Sequence, residues 1–328
     1  MTAPIDLSEI VRARERIAPA ALVTPLLPAL DMAMPDGVEL GLKAENLQRT
    51  GSFKFRGAYN AIAGLPPDER SHGVITYSSG NHGQAVAAAA HMLGVRAVVV
   101  MPEDAIPIKV RLTREWGAEV EFAGRTSLSR EQRARELAET HGYTVIPPFD
   151  DRRIIAGQGT VGLEILEQRP DVETVVVQVG GGGLISGIAT AIKVQRPDVR
   201  IIGVEPEGGA DARASLQSGT LTTWDNIDTV ADGLRTSRMG ELNFATIRTY
   251  VDDIVTVSDD EILAAVGTLA TASKLVVEPS GAVAAAGVLT GRAGETGKTV
   301  AVISGGNVDP SLLASVLGTS GRSTVGSR

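Results

Sequence analysis

Short runs of β-branched residues recur along the chain, and the stretches between them place apolar side chains at a helical period or are filled with alanine. The continuous runs at Val98, Val175 and Val300 suit strands covered on both faces, and the stretches between them suit the helices that cover them. This reading predicts strands at 73–77, 96–101, 119–122, 143–146, 174–178, 200–204, 253–257 and 299–304. It predicts helices at 7–17, 55–65, 82–93, 108–115, 127–141, 159–168, 184–195, 259–274, 280–289 and 311–317.

Such alternation points to the α/β class, with two open, mostly parallel α/β/α lobes. Residues 50–148 are expected to form a smaller lobe and residues 1–49 with 149–328 a larger one, with a ligand cleft between them at the strand ends. The tail from Gly318, rich in Gly, Ser and Thr, is expected to fray.

Composition narrows the function. The 328 residues, 43% of them hydrophobic, suffice for a substantial core. The absence of cysteine rules out disulfides and thiolate metal sites. A formal net charge of −8 offers no general attraction to nucleic acid. No N-terminal apolar stretch resembles a signal, and the runs at Ala85–Ala90 and Val98–Val100 are too short to cross a bilayer, so a cytoplasmic protein with a small-molecule ligand and no membrane partner is expected.

Three segments concentrate the chemistry: KAENLQRTGSFKFRGA (43–58), SSGNHGQA (78–85) and VGGGGLISG (179–187). In the second, free N–H groups at a helix start suit a carboxylate, and an ordinary helix cap remains the alternative. In the third, a strand runs into Gly180, Gly181, Gly182 and Gly183 and then a helix, so that backbone N–H groups without Cβ obstruction can approach a phosphate. Two other glycine patterns carry less. Gly157, Gly159 and Gly162 satisfy GxGxxG, but no strand turns directly into them and no acidic residue follows at the dinucleotide-binding spacing. The run from Gly291 to Thr299 has five residues between its key glycines where a P-loop needs four, and Lys298 reads as a solvated turn residue.

Taken in order with ADGLRTS (231–237) and SGGNVD (304–309), these segments resemble the fold-type II pyridoxal phosphate enzymes, specifically the branch of threonine/serine dehydratases and serine racemases. The resemblance covers nearly the whole chain and implies a tryptophan synthase β-subunit-like fold. It assigns Lys54 as the lysine that carries pyridoxal 5'-phosphate as a Schiff base, with Phe53 and Gly233 flanking the ring. Asn81 corresponds to the partner of the phenolic oxygen, Ser304 to that of the ring nitrogen, and Gly180 to Gly183 to the phosphate cradle. Ser78, Ser79, Asn81 and His82 correspond to the loop that grips the substrate carboxylate, and Ser79 also to the serine opposite lysine that handles the α-proton in the racemases. Glu205, Asp211 and the carbonyl of Gly209 correspond to a divalent-cation site, whose oxygen ligands suit Mg²⁺, Mn²⁺ or Ca²⁺.

The implied reaction removes water and then ammonia from L-threonine or L-serine, with Lys54 as catalytic base; Ser79 is the second catalytic candidate. A serine at the ring nitrogen, unlike a carboxylate, does not strongly favour its protonation, which leans the chemistry toward elimination. Within the resemblance, threo-3-hydroxyaspartate dehydration and serine racemisation are alternatives, and a ligand-binding relative without activity is the non-enzymatic one. Arg130 and Arg235 are the candidates for a second substrate carboxylate. The resemblance also implies a homodimer. With no further domain after SGGNVD, feedback control by isoleucine is not expected and a catabolic role is.

Overall fold

The computed structural model describes residues 4–320 apart from positions 79, 106, 125, 295 and 296. Ser79 and the tail from 321 onward therefore lie outside the described residues.

Two sheets organise the chain. The larger has six strands in the order β1 (Leu26–Pro28), β2 (Glu39–Lys43), β10 (Lys298–Val302), β7 (Thr174–Gln178), β8 (Arg200–Pro206), β9 (Asp253–Val257). Only β1 pairs antiparallel; every other neighbour is parallel. The smaller sheet is wholly parallel, in the order β5 (Glu119–Phe122), β4 (Ala97–Met101), β3 (Val74–Thr76), β6 (Thr144–Val145).

Thirteen helices cover these sheets among the described residues: α1 (Leu7–Ile17), α2 (Lys54–Ala63), α3 (Pro67–His72), α4 (Asn81–Met92), α5 (Pro107–Glu115), α6 (Ser127–His141), α7 (Arg152–Gln168), α8 (Gly183–Lys193), α9 (Asp211–Ser218), α10 (Glu241–Tyr250), α11 (Asp259–Thr271), α12 (Pro279–Leu289) and α13 (Pro310–Ser320). The two-residue side-chain period of a strand decides which helices each residue meets. Val175 and Val177 pack with Ile165, Ile188 and Ile247 of α7, α8 and α10. Val176 points the other way, into the core with Val266 of α11 and Val283 of α12. The smaller sheet divides likewise, with Val99 and Met101 packed against α2 and α4 and Val98 and Val100 against α6.

Three differences from the sequence reading have physical causes. Strands β1 and β2 were not expected: β1 is three residues long and only partly buried, and Gly41 interrupts the apolar run of β2. Helix α7 begins at Arg152, seven residues before the expected start, because Asp151 caps it by accepting from Arg153 N (2.7 Å) and Ile154 N (3.4 Å). The GxGxxG glycines thus sit inside a helix, where they bring backbones together. A Cβ on Gly157 would lie 2.6 Å from Gly57 Cα, and one on Gly159 2.9 Å from Gly187 O. Lys298 is the first residue of β10, not a turn residue, and its Nζ donates to Asp171 Oδ2 at 2.7 Å.

A buried ion cluster fixes α2. The Arg56 guanidinium donates to both oxygens of Glu45 (2.8 Å each) and to Glu164 (2.6 and 2.9 Å), and Lys43 Nζ donates to Glu164 at 2.6 Å. Two cations and two anions balance in a volume closed to water.

Candidate active site

Parallel pairing sends β2, β10, β7 and β8 out at one edge of the larger sheet, so the segments that follow them emerge side by side. After β7 comes Gly180 to Gly183, after β10 comes Ser304, at the end of β8 stands Glu205 with Asp211 following it, and after β2 comes the chain that leads to Lys54. The same edge of the smaller sheet supplies Ser78 to His82 after β3. Ligands of open α/β sheets bind at such edges.

Lys54 opens α2. Its ring-bearing neighbour Phe53 donates its N–H to Ser304 O (3.1 Å), and Ser52 forms an isolated bridge with Gly305, which ties the lysine's loop to the Ser304 segment. Nζ of Lys54 donates to Pro148 O at 2.8 Å and lies 5.1 Å from the centroid of the Phe53 ring. Burial pushes the Lys54 amine down to about 8, bringing the free-base form within reach of neutral pH.

The four glycines are all buried. Gly182 has a φ of +89°, a conformation that L side chains rarely adopt, and turns the chain into α8. A Cβ on Gly181 would fall 2.3 Å from carbons of the Phe149 ring, and one on Gly180 3.1 Å from Leu234 Cα. Such close packing leaves the first N–H groups of α8 as bare donors, suited to phosphate.

Asn81, at the start of α4, spans the two lobes. Its Nδ2 donates to Glu278 Oε1 (2.6 Å), and its Oδ1 accepts from Asn307 Nδ2 (2.7 Å), which also donates to Thr50 O (2.8 Å). Glu278 is buried; desolvation and then the charge of Asp232 raise its carboxyl to about 7, against the Asn81 hydrogen bond. Ser280 Oγ accepts from Gly233 N at 2.8 Å and fixes that glycine's loop.

His82 is fully buried in the first turn of α4, and its Nε2 faces Ile146 O at 3.0 Å. Because a carbonyl only accepts, Nε2 carries the proton and Nδ1 is a bare acceptor. Burial, and then the positive charge of Lys54, depress this imidazole to about 3, so it stays neutral. Ser78 Oγ accepts from Gly80 N at 3.2 Å.

Glu205 and Asp211 are both buried. Glu205 accepts from Ala212 N (3.0 Å) and Arg213 N (2.8 Å), and Asp211 accepts from Met239 N (3.0 Å). Desolvation and then the neighbouring Asp211 charge raise Glu205 to about 8, and desolvation raises Asp211 to about 7. Gly209 lies buried in the short 3₁₀ turn between them. Among the described residues no cluster of three or more His, Cys, Asp or Glu is placed to hold a metal.

The two arginines differ. Arg235 is exposed, and its Nε donates to Thr229 O (2.9 Å), as does its Nη2. Arg130 is half-buried in the first turn of α6, at the cleft edge of the smaller sheet, with the charge of Asp104 acting on it.

Glu278, the Pro148 carbonyl and Phe149 escaped the sequence reading. Glu278 precedes Pro279 in an ordinary-looking helix start, and a backbone acceptor leaves no trace in sequence. The PPFDD segment at the expected lobe boundary was the available signal.

Residues 17–305 match the family model described as pyridoxal-phosphate dependent enzyme. The chain is 44% identical over 310 residues to L-threo-3-hydroxyaspartate ammonia-lyase of Saccharomyces cerevisiae, covering 94% of this chain and 95% of that one. It is 42% identical over 318 residues to the catabolic L-threonine dehydratase of Escherichia coli, covering 96% and 97%. The maize serine racemase structure superposes with a TM-score of 0.91 at 37% identity, over 96% of this chain and 98% of that one.

Proposed function

Because the chain belongs to the pyridoxal-phosphate dependent enzyme family, we propose that it is an ammonia-lyase that eliminates water from L-threonine and L-serine to give a 2-oxo acid and ammonia. The observation that carries this reading is the juxtaposition at residues 148–149: the carbonyl of Pro148 holds the Lys54 amine, and the next residue packs on the glycine cradle. The residues that meet the amine nucleophile and the phosphate site are thereby neighbours along the backbone.

These groups fit the cofactor. Lys54 would carry it, Gly180 to Gly183 its phosphate, Ser304 its ring nitrogen, Asn81 its phenolic oxygen, and Phe53 and Gly233 the two sides of its ring. Pyridoxal phosphate, when bound, supplies the electron sink that acidifies the substrate's α-proton. The residues of this chain do the rest. The Lys54 amine, shifted toward its free base, accepts the α-proton of an L substrate. The N–H groups opening α4, those of Asn81 and His82 among them, with Ser78, orient the substrate carboxylate, and Ser79 is the proton carrier on the opposite face.

Glu205, Asp211 and the Gly209 carbonyl would hold a divalent cation, Mg²⁺ fitting best among hard ions: burial raises both carboxyls, and the Asp211 charge raises Glu205 further, against their backbone hydrogen bonds. The chain's lobes divide at 50–148, it acts in the cytoplasm, and it pairs as a homodimer. Among the described residues no helix is long and apolar enough to cross a membrane.

A second reading is 3-hydroxyaspartate as substrate. It is favoured by the half-buried Arg130 at the cleft edge, where a guanidinium can pair a second carboxylate. Initial rates and kcat/KM for L-threonine, L-serine and the 3-hydroxyaspartate stereoisomers, with product chirality followed in the same reactions, decide. A preference of about 100-fold for a hydroxyaspartate, nearly 3 kcal/mol in transition-state stabilisation, overturns the first substrate assignment, and racemisation outrunning oxo-acid release overturns the reaction.

A further inference from the structure

The segment Ile146–Asp150 crosses from the smaller sheet to the larger and touches the site at every step. Ile146 O accepts from His82 Nε2 (3.0 Å) and from Thr76 Oγ1 (2.8 Å), and Pro148 O accepts from Lys54 Nζ (2.8 Å). Phe149 O accepts from Asn243 Nδ2 (3.3 Å), which also donates to Gly181 O (2.8 Å). The Asp150 carboxylate accepts from Glu241 N (3.0 Å) and Leu242 N (3.1 Å) at the start of α10. The Phe149 ring lies against the cradle itself: a Cβ at Gly181 would meet three of its carbons at 2.3 to 2.5 Å, and one at Gly183 would meet Phe149 O at 3.0 Å.

We propose that Phe149 is a positioning residue for the cofactor phosphate: its ring braces Gly181, its backbone lies against Gly183, and its peptide link to Pro148 fixes the distance between that cradle and the Lys54 amine. The inference rests on the cofactor reading above and adds a residue to it. Its physical basis is that four glycines in a row have no side chains to hold their own conformation, so the loop's shape is imposed from outside. The flat ring against Gly181 and the Asn243 amide, which bridges Phe149 O and Gly181 O, supply that constraint. A cradle displaced by about 1 Å loses aligned N–H donors and costs on the order of 10² in a step that depends on them.

Phe149 is only half-buried, so its truncation opens a notch to solvent, not a sealed cavity, and leaves the fold intact. The test uses the holoenzyme and measures release of pyridoxal phosphate by loss of its visible absorbance, together with rebinding to give a dissociation constant. Phe149→Ala is expected to weaken retention about 10- to 100-fold, and Phe149→Leu by less, while the melting temperature of the cofactor-free protein stays within a few degrees. Gly181→Ala weakens binding in the wild type, where the new methyl strikes the ring. In the Phe149→Ala background its penalty is expected to shrink, because the ring it would strike is gone. Equal retention in wild type and Phe149→Ala, or independent penalties in the double variant, overturns the proposal. A wild-type protein that holds no pyridoxal phosphate overturns the cofactor reading instead.

Discussion

At the scale of single residues, the burial of Lys54 has consequences that can be measured without substrate. Its amine titrates near 8 in the folded protein against an ordinary value of 10.5. Between those values the unfolded chain binds more protons than the folded one, so the stability of the cofactor-free protein contributed by this group rises with pH from about 8 and levels off near the ordinary value. Comparison of wild type with Lys54→Met by denaturant titration from pH 7 to 10.5 isolates the effect; parallel curves would refute the shift. Covalent capture of pyridoxal phosphate, which needs the free amine, is expected to accelerate as pH approaches 8 and then to level off. Lys54→Ala is expected to abolish capture and to lower elimination by at least about 10³-fold. Borohydride reduction and peptide mapping check the attachment point directly, and cofactor found on another lysine would refute it.

At the scale of elements, most strands and helices were legible because continuous apolar runs and helical periodicity survive in the sequence, as at Thr174–Gln178 and Leu7–Ile17. The candidate site residues came from ordered motifs, whose segments the fold places at the ends of parallel strands of both sheets. What stayed hidden depends on tertiary contact: the short partly buried β1, the helical setting of GQGTVG, and acceptors such as Pro148 O. The Arg56 cluster belongs to the hidden set, since nothing local to SFKFRGA announces Glu164, which lies 108 positions away. It makes α2 the rigid base for Lys54. Arg56→Met leaves Glu45 and Glu164 buried against Lys43 alone and is expected to cost about 3–5 kcal/mol, read as a loss in denaturant midpoint. A loss under about 1 kcal/mol would show that the cluster is solvated in solution. The end of β8 allows a parallel test: thorough chelation is expected to lower the melting temperature and Mg²⁺ to restore it, with Glu205→Gln insensitive to both. If chelation changes nothing in the wild type, the cation assignment fails.

At the scale of the whole molecule, the two lobes meet through the buried Arg56 cluster, the Asn81 bonds and an exposed ion pair. Lys109 Nζ, on α5 of the smaller lobe, lies 3.3 Å from Asp232 Oδ2, which precedes Gly233. The pair is not isolated. Lys109 also acts on buried Glu278 and on Asp309, so one small-lobe cation faces three large-lobe acids. Because Asp232 is about half exposed, the pair contributes little to folding, on the order of 0–1 kcal/mol. Its consequence is expected in lobe closure, where a small free-energy difference biases two nearly balanced states. Lys109→Ala is expected to raise the substrate KM about 2- to 5-fold with little change in kcat, and to flatten the dependence of KM on ionic strength, since the screened attraction is gone. Reversing both charges, Lys109→Asp with Asp232→Lys, is expected to recover part of the lost affinity but not all, because Glu278 and Asp309 then face the introduced carboxylate. Hydrogen exchange in α5 and in residues 231–237 gives a readout independent of turnover: both segments are expected to exchange faster in Lys109→Ala. Unchanged exchange together with an unchanged salt dependence of KM would show that the Lys109–Asp232 pair has no part in closure.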